Sequence, residues 1–238
     1  MVIVPLRVHY KSTQEPSNPK AVMERFTVVK TTRVVSLSEA QATKFLTYRV
    51  FFMTVQVLVE KKKLEKPPLT IHTLGDRVLR QPAKRVNSVD AEIRQLVREM
   101  LQTMYSADGI GLAAPQVAVN KQVIVIDCEP DNPATPPWVL INPTIKSSSG
   151  DICILQEGCL SIPGVYLEVK RPEVIEVSYR DEFGRPQTLK ANELLSRVIQ
   201  HEMDHLNGVL FVDRVDNKLA LNEELVKNKY SPKAVKSI

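Results

Sequence analysis

Leu194-Leu195-Ser196-Arg197-Val198-Ile199-Gln200-His201-Glu202-Met203-Asp204-His205-Leu206 sets two histidines one helical turn apart in a run with apolar residues at helical spacing. Leu194, Leu195, Val198, Ile199 and Leu206 make the inner face of a helix, Asn192 offers an N-cap and Asn207-Gly208 a stop. Histidines at i and i+4 project from one face, near enough for both imidazoles to reach a single ion. Glu202 is offset around the helix, beside the ion, where it can accept a proton from water. The bland alternative is a chance pair on a solvated helix. Against it, two of the chain's four histidines stand here around a Glu. The apolar flanks also bury this helix, where ionisable groups need partners.

A catalytic site needs a third protein ligand. The extended metalloprotease pattern would place a His six residues after His205, and that position is Phe211. Glu223 and Glu224 are available downstream. Cys159, in Glu157-Gly158-Cys159-Leu160-Ser161, is the other choice, a thiol in a Gly-containing turn after Ile154. By itself a lone Cys is more often a small buried hydrophobe, the reading given to Cys128 and Cys153. A third stretch, Gly109-Ile110-Gly111-Leu112-Ala113-Ala114-Pro115-Gln116, lets backbone approach a ligand closely. It lacks the Lys-Ser/Thr of a nucleotide loop and the third Gly of a dinucleotide fingerprint.

Around these stretches, Ser88 is placed to cap a helix with Ile93, Leu96, Val97, Met100, Leu101 and Met104 on one stripe, ended by Asp108-Gly109. Val123–Ile126 and Val139–Ile141 read as strands. Glu173 to Tyr179 alternates and turns at Phe183-Gly184 into Thr188-Leu189, a hairpin. Asn217 to Tyr230 reads as a short surface helix. The fold class is therefore α+β, with mixed or antiparallel sheets packed around a central metal-binding helix and an irregular N-terminal extension. We expect residues 1–66 to be a poorly ordered leader and linker and 67–238 to be the catalytic domain.

The net charge of +5 is uneven. Residues 1–66 hold 12 Lys/Arg against 5 Glu, whereas 67–238 hold 20 basic and 22 acidic residues. The core thus lacks the basic footprint of a nucleic-acid binder. Three cysteines without disulfide spacing point to a reducing compartment. The most apolar run, Val50 to Val59, is too short to span a bilayer.

Taken together, the three stretches resemble the peptide deformylases. That family is marked by Gly-x-Gly-Leu-Ala-Ala-Pro-Gln, Glu-Gly-Cys-Leu-Ser and His-Glu-x-x-His in this order, here at 109–116, 157–161 and 201–205 without a mismatch. The similarity runs from about Pro68 to about Val215. The resemblance implies hydrolytic removal of the formyl group from the initiator methionine of nascent chains, releasing formate. Cys159, His201 and His205 would be the metal ligands. Metal-hydroxide attack would use Glu202 as general base and then acid, with the Gln116 amide and the Leu160 N–H meeting the oxyanion. The substrate would lie extended along Gly109, Ile110 and Gly111, its methionine in a pocket walled by Val198. The implied cofactor is one divalent ion per chain, Fe2+ by resemblance although the ligands suit Zn2+, with Ni2+ or Co2+ as substitutes. The implied partners are formyl-Met peptides near the ribosome, with no nucleic-acid sequence and no membrane span.

Two positions depart from the family pattern. Tyr166 stands where many bacterial members carry an Arg seven residues after the ligand Cys. Arg197 stands where an apolar residue is common, and it reads equally as a pocket rim or as a solvent-facing side chain. The compartment expected is the bacterial cytoplasm, or a plastid or other organelle if the N-terminal segment is a transit peptide. Residues 1–52, poor in acids and rich in Ser/Thr and Lys/Arg, read as dispensable and Met53 as an alternative start. A chain begun at Met53 is expected to keep its activity, and an unfolded or inactive product would contradict this.

Overall fold

Helix α1 (Ala91–Ser106) buries Ile93, Val97, Met100, Leu101 and Met104 along one stripe. Its cap is Asp90 and not Ser88: Asp90 Oδ1 accepts from the Ile93 amide at 2.9 Å. Ser88 stands two residues too early to reach that amide, and a carboxylate also suits the positive end of the helix. The computed structural model describes residues 59–236. The expected leader, Met53 and all but the last residue of the Val50–Val59 run lie outside the described residues.

The strands follow as β1 (Gly111–Ala113), β2 (Val123–Ile126), β3 (Trp138–Ser148), β4 (Ile152–Cys159), β5 (Ile162–Pro172), β6 (Ile175–Arg180) and β7 (Pro186–Ala191). They form a five-stranded sheet in the order β1-β2-β3-β6-β7 and a separate β4-β5 hairpin. Among the described residues these strands all pair antiparallel. All four β2 residues are buried. Val123 and Val125 pack towards α1, while Ile124 and Ile126 pack towards the second helix, so the strand is apolar on both faces. Gly184, at φ +81°, makes the turn expected between β6 and β7.

Helix α2 (Glu193–Leu206) carries the paired histidines. Asn192 occupies the N-cap, but its side chain makes no capping hydrogen bond. One face of α2, with Val198, Ile199 and Leu206, packs on Ile124, Ile126 and Leu140 of the sheet. The other face meets the β4-β5 hairpin through polar side chains. The α+β class is thus observed, with α2 central. Helix α3 (Lys218–Lys227) is less superficial than expected, because Leu221 and Leu225 are buried with Val165 and Leu167 of β5.

One further expectation needs correction. The chain reverses after Cys159, at Leu160-Ser161, and not at Gly158, which stays in β4 opposite Tyr166. In the run 60–66, Leu64 N–H donates to Ser106 Oγ (3.1 Å) and the Gln102 amide donates to Lys62 O (2.7 Å), while residues 62–66 stay exposed. Among the described residues no helix is long and apolar enough to cross a membrane.

The chain turns away just past helix α2 at Gly208, at φ +66°, where a Cβ would lie 2.6 Å from the Arg80 carbonyl oxygen. Gly208→Ala combines backbone strain with that clash, so a loss of at least ~2 kcal/mol is expected. Urea unfolding measures it, and an unchanged midpoint would refute the account.

Candidate metal centre

Two consecutive turns of α2 and the tip of the β4-β5 hairpin supply three donor atoms, from His201, His205 and Cys159, all within 4.8 Å of one another and all buried. The imidazole centroids are 5.2 Å apart with planes at 70°, and Cys159 Sγ lies 3.3 Å from His205 Nε2. His201 Nδ1 lies 2.8 Å from Glu157 Oε2, which sets the tautomer with Nδ1 protonated and Nε2 as the lone-pair donor. His201 Nε2 has no hydrogen-bond partner among the described residues. A sulfur and two imidazoles, one with an unshared nitrogen and a carboxylate behind it, fit a divalent transition metal. Glu223 is exposed on α3 and Glu224 pairs with Lys227 at 3.0 Å, so neither joins this group. Phe211, at the position that lacks the third histidine, stacks on His201 with centroids 5.9 Å apart.

Sequence reasoning did not single out the support behind His201. Glu157 is fully buried. It accepts from Arg171 through Nε (2.6 Å) and Nη2 (2.9 Å), and from Arg197 Nη1 (2.7 Å). Arg171 also reaches Asp204 at 2.8 Å, and Arg214 holds Asp204 at 2.6 Å through Nε and again through Nη2. Arg197 is therefore neither a pocket rim nor solvent-facing. It is 2% exposed and also donates to the carbonyls of Val169 (3.0 Å) and Cys153 (2.7 Å). The signal was in the spacing: residues 197, 201 and 205 share one helical stripe, so burying the histidines buries the arginine.

The remaining site residues fall around the three donors. Gln116 is fully buried in a 3-10 turn; its Oε1 accepts from Ala113 N–H (2.8 Å), and Nε2 lies 3.0 Å from Ser161 Oγ and 3.6 Å from Cys159 Sγ. Ser161, also not anticipated, turns its amide to Cys159 Sγ at 3.4 Å. Leu160 lies in the turn between them and packs on Gly109, where a Cβ would come within 2.7 Å of its Cδ1. A Cβ at Gly111 would meet the Glu202 carboxylate and come 2.8 Å from Val198 Cγ1. The second glycine thus lets β1 lie flush against α2 beside Glu202. Val198 is wholly buried and Ile110 half-buried. Cys128 and Cys153 are free and half-buried and are not members of the group.

Burial pulls the His201 imidazole down, but Cys159 and Glu157 outweigh it and raise it to about 9. His205, equally buried and facing His201 and Arg171, falls well below the ordinary histidine range. The pocket therefore favours a single positive charge between the rings, and a bound cation would take the place of that proton. Burial also works against the Glu157 carboxylate, yet Arg171 and His201 hold it well below the usual range.

The sequence pattern of the polypeptide deformylase family matches residues 68–220. Peptide deformylase 1 of Nostoc sp. is 72% identical over 186 residues, which cover 78% of this chain and all of that relative. A peptide deformylase structure from Synechococcus elongatus, in complex with actinonin, superposes with a TM-score of 0.76 at 66% identity, covering 77% of this chain and all of that one. One from Legionella pneumophila gives 0.63 at 40% identity, covering 68% and 95%.

Glu157 stays ionised in the fold at pH values where the unfolded chain binds a proton. Its stabilisation is full above the unfolded value of about 4.3 and is lost as pH falls through the lower folded one. Glu157→Gln, which leaves two buried guanidiniums short of charge, is expected to cost about 3–5 kcal/mol at neutral pH. The gap between wild-type and variant urea midpoints should narrow as pH drops below about 4. A gap independent of pH would contradict the assignment.

Proposed function

The chain belongs to the polypeptide deformylase family, and on that premise we propose how its residues remove the N-formyl group from newly made polypeptides. The observation that carries the reading is the group Cys159, His201 and His205, with donor atoms within 4.8 Å, buried beside the fully buried Glu202. These three would hold one divalent ion and leave a fourth position for water or substrate. When bound, the ion supplies Lewis acidity, polarising the formyl oxygen and making water acidic enough to lose a proton near neutral pH.

Glu202 takes that proton as the water oxygen adds to the formyl carbon. As the C–N bond breaks, Glu202 returns the proton to the departing amine, and formate is released. Gln116 Nε2 and the Leu160 amide donate to the oxygen that gains negative charge, a contribution worth about 3 kcal/mol per donor. The Ala113 N–H, held by Gln116 Oε1, supports this role because it fixes which end of the amide faces Cys159. β1 lies at the sheet edge, so the peptide can add along Gly109, Ile110 and Gly111 as a further strand. Gly111 and Val198 close the space next to Glu202, which suits a formyl group and rejects a bulkier acyl group.

Fe2+ is the ion we propose, although the donor set also suits Zn2+. The proposed setting is close to translating ribosomes in a bacterial cytoplasm, with a plastid the alternative if residues 1–52 are cleaved in the native protein. Glu202→Gln is expected to keep the fold and the bound metal while lowering formate release from a formyl-Met peptide by about 10²–10⁴-fold. Cys159→Ala is expected to lose metal on dialysis. Retained turnover in the first variant, or full metal occupancy in the second, would overturn these roles.

A further inference from the structure

Lys61 does not behave as one lysine in a charged run. Its side chain is 10% exposed, and its Nζ lies 2.7 Å from Asp127 Oδ2. The same ammonium donates to the carbonyls of Glu129 (3.1 Å), Asn132 (2.8 Å) and Thr135 (2.7 Å). Four oxygens around a group with three hydrogens leave it saturated.

The loop that supplies them, Asp127 to Thr135, is coiled by its own side chains. Asp127 Oδ1 accepts from Glu129 N–H (3.0 Å), Asn132 Oδ1 from Ala134 N–H (3.1 Å), and Glu129 Oε2 from Thr135 Oγ1 (2.7 Å) and Asn132 Nδ2 (3.1 Å). That coiling turns three carbonyl dipoles towards one point, where they repel one another unless a cation lies between them. Asp127 is 1% exposed and, besides Lys61, has Tyr105 O–H at 2.8 Å. A carboxylate so buried needs a positive partner. The oxygen distances exceed the roughly 2.3–2.6 Å of calcium sites and suit an ammonium-sized monovalent ion.

The cage connects directly to the proposed docking edge. Asp127 N–H donates to Ile110 O at 2.9 Å, and its neighbour Ile126 pairs with Gly111. We propose that the Lys61 ammonium is the built-in cation of the 127–135 loop, a positioning residue that holds Ile110 and Gly111 in line for the incoming peptide. The effect on substrate rests on the docking along β1 given above; the cage itself does not.

The test uses the full chain with Lys61→Ala, which opens the cage, and Lys61→Met, which fills it without charge. Thermal midpoints are compared in sodium and in ammonium chloride at equal ionic strength. Steady-state kinetics are run on a formyl-methionyl tripeptide and on formyl-methioninamide, which is too short to pair along β1. Lys61→Ala is expected to melt earlier and to raise KM for the tripeptide about tenfold, with kcat and the short substrate little changed. Ammonium should restore both properties in Lys61→Ala but not in Lys61→Met, and leave the wild type unaffected. Losses that ammonium does not restore, or a Lys61→Met variant equal to wild type, would overturn the proposal. Ammonium-dependent stability with no difference between substrates upholds the cage and removes the docking reading instead. If Lys61→Ala is recovered only unfolded, its refolding yield decides: a gain with ammonium supports the cage and no gain sinks it.

Discussion

The buried carboxylate of Glu157 is what the rest of the centre depends on. It takes hydrogen bonds from Arg171, Arg197 and His201, and so joins β5, two successive positions of the histidine-bearing stripe of α2, and β4, its own strand. An ionised group with no exposed surface is tolerated only where hydrogen-bonded countercharge surrounds it. That requirement makes the arrangement nearly all-or-none: the hairpin must sit against the helix for the carboxylate to be satisfied, and once seated it carries Cys159 to the histidines. Electrostatic satisfaction and the convergence of the three donor atoms are therefore one geometric event.

The division of labour on α2 explains how so polar an assembly sits at the centre of a small domain. Val198, Ile199 and Leu206 give the helix its hydrophobic attachment to the sheet, while Arg197, His201, Asp204 and His205 face the hairpin. Apolar burial supplies most of the stability, and the polar face specifies which hairpin docks and in what register. Phe211 closes the arrangement by lying flat on His201, so one imidazole is held by a ring on its face and a carboxylate on its edge.

Helix α2, its histidine pair and the short strand β2 were legible in the sequence because each is a local pattern: a period, a turn signal, a fixed offset. Cys159, Gln116 and Leu160 were legible only through the family resemblance, since nothing local shows that residues 41 and more positions apart converge. Glu157 lay within a quoted motif, yet its role depends on a distance to His201 that no spacing encodes. Strand β4 was overlooked because its first half, with Ile152, Ile154 and Leu155 exposed, lacks an alternating pattern. Ser88 was read as the cap because Ser is a good capping residue, and only the reach to the Ile93 amide gives that place to Asp90. Lys61 was taken for linker because its partners are contributed from residues 127–135.

Arg197 limits what else can stand at its position. Its guanidinium joins Glu157 to the main chains of both hairpin strands, through Val169 and Cys153. An aliphatic side chain here would withdraw all three bonds at once and leave Glu157 with part of its countercharge gone. A side chain without a guanidinium is therefore accommodated at residue 197 only where the hairpin beneath it offers Glu157 another donor.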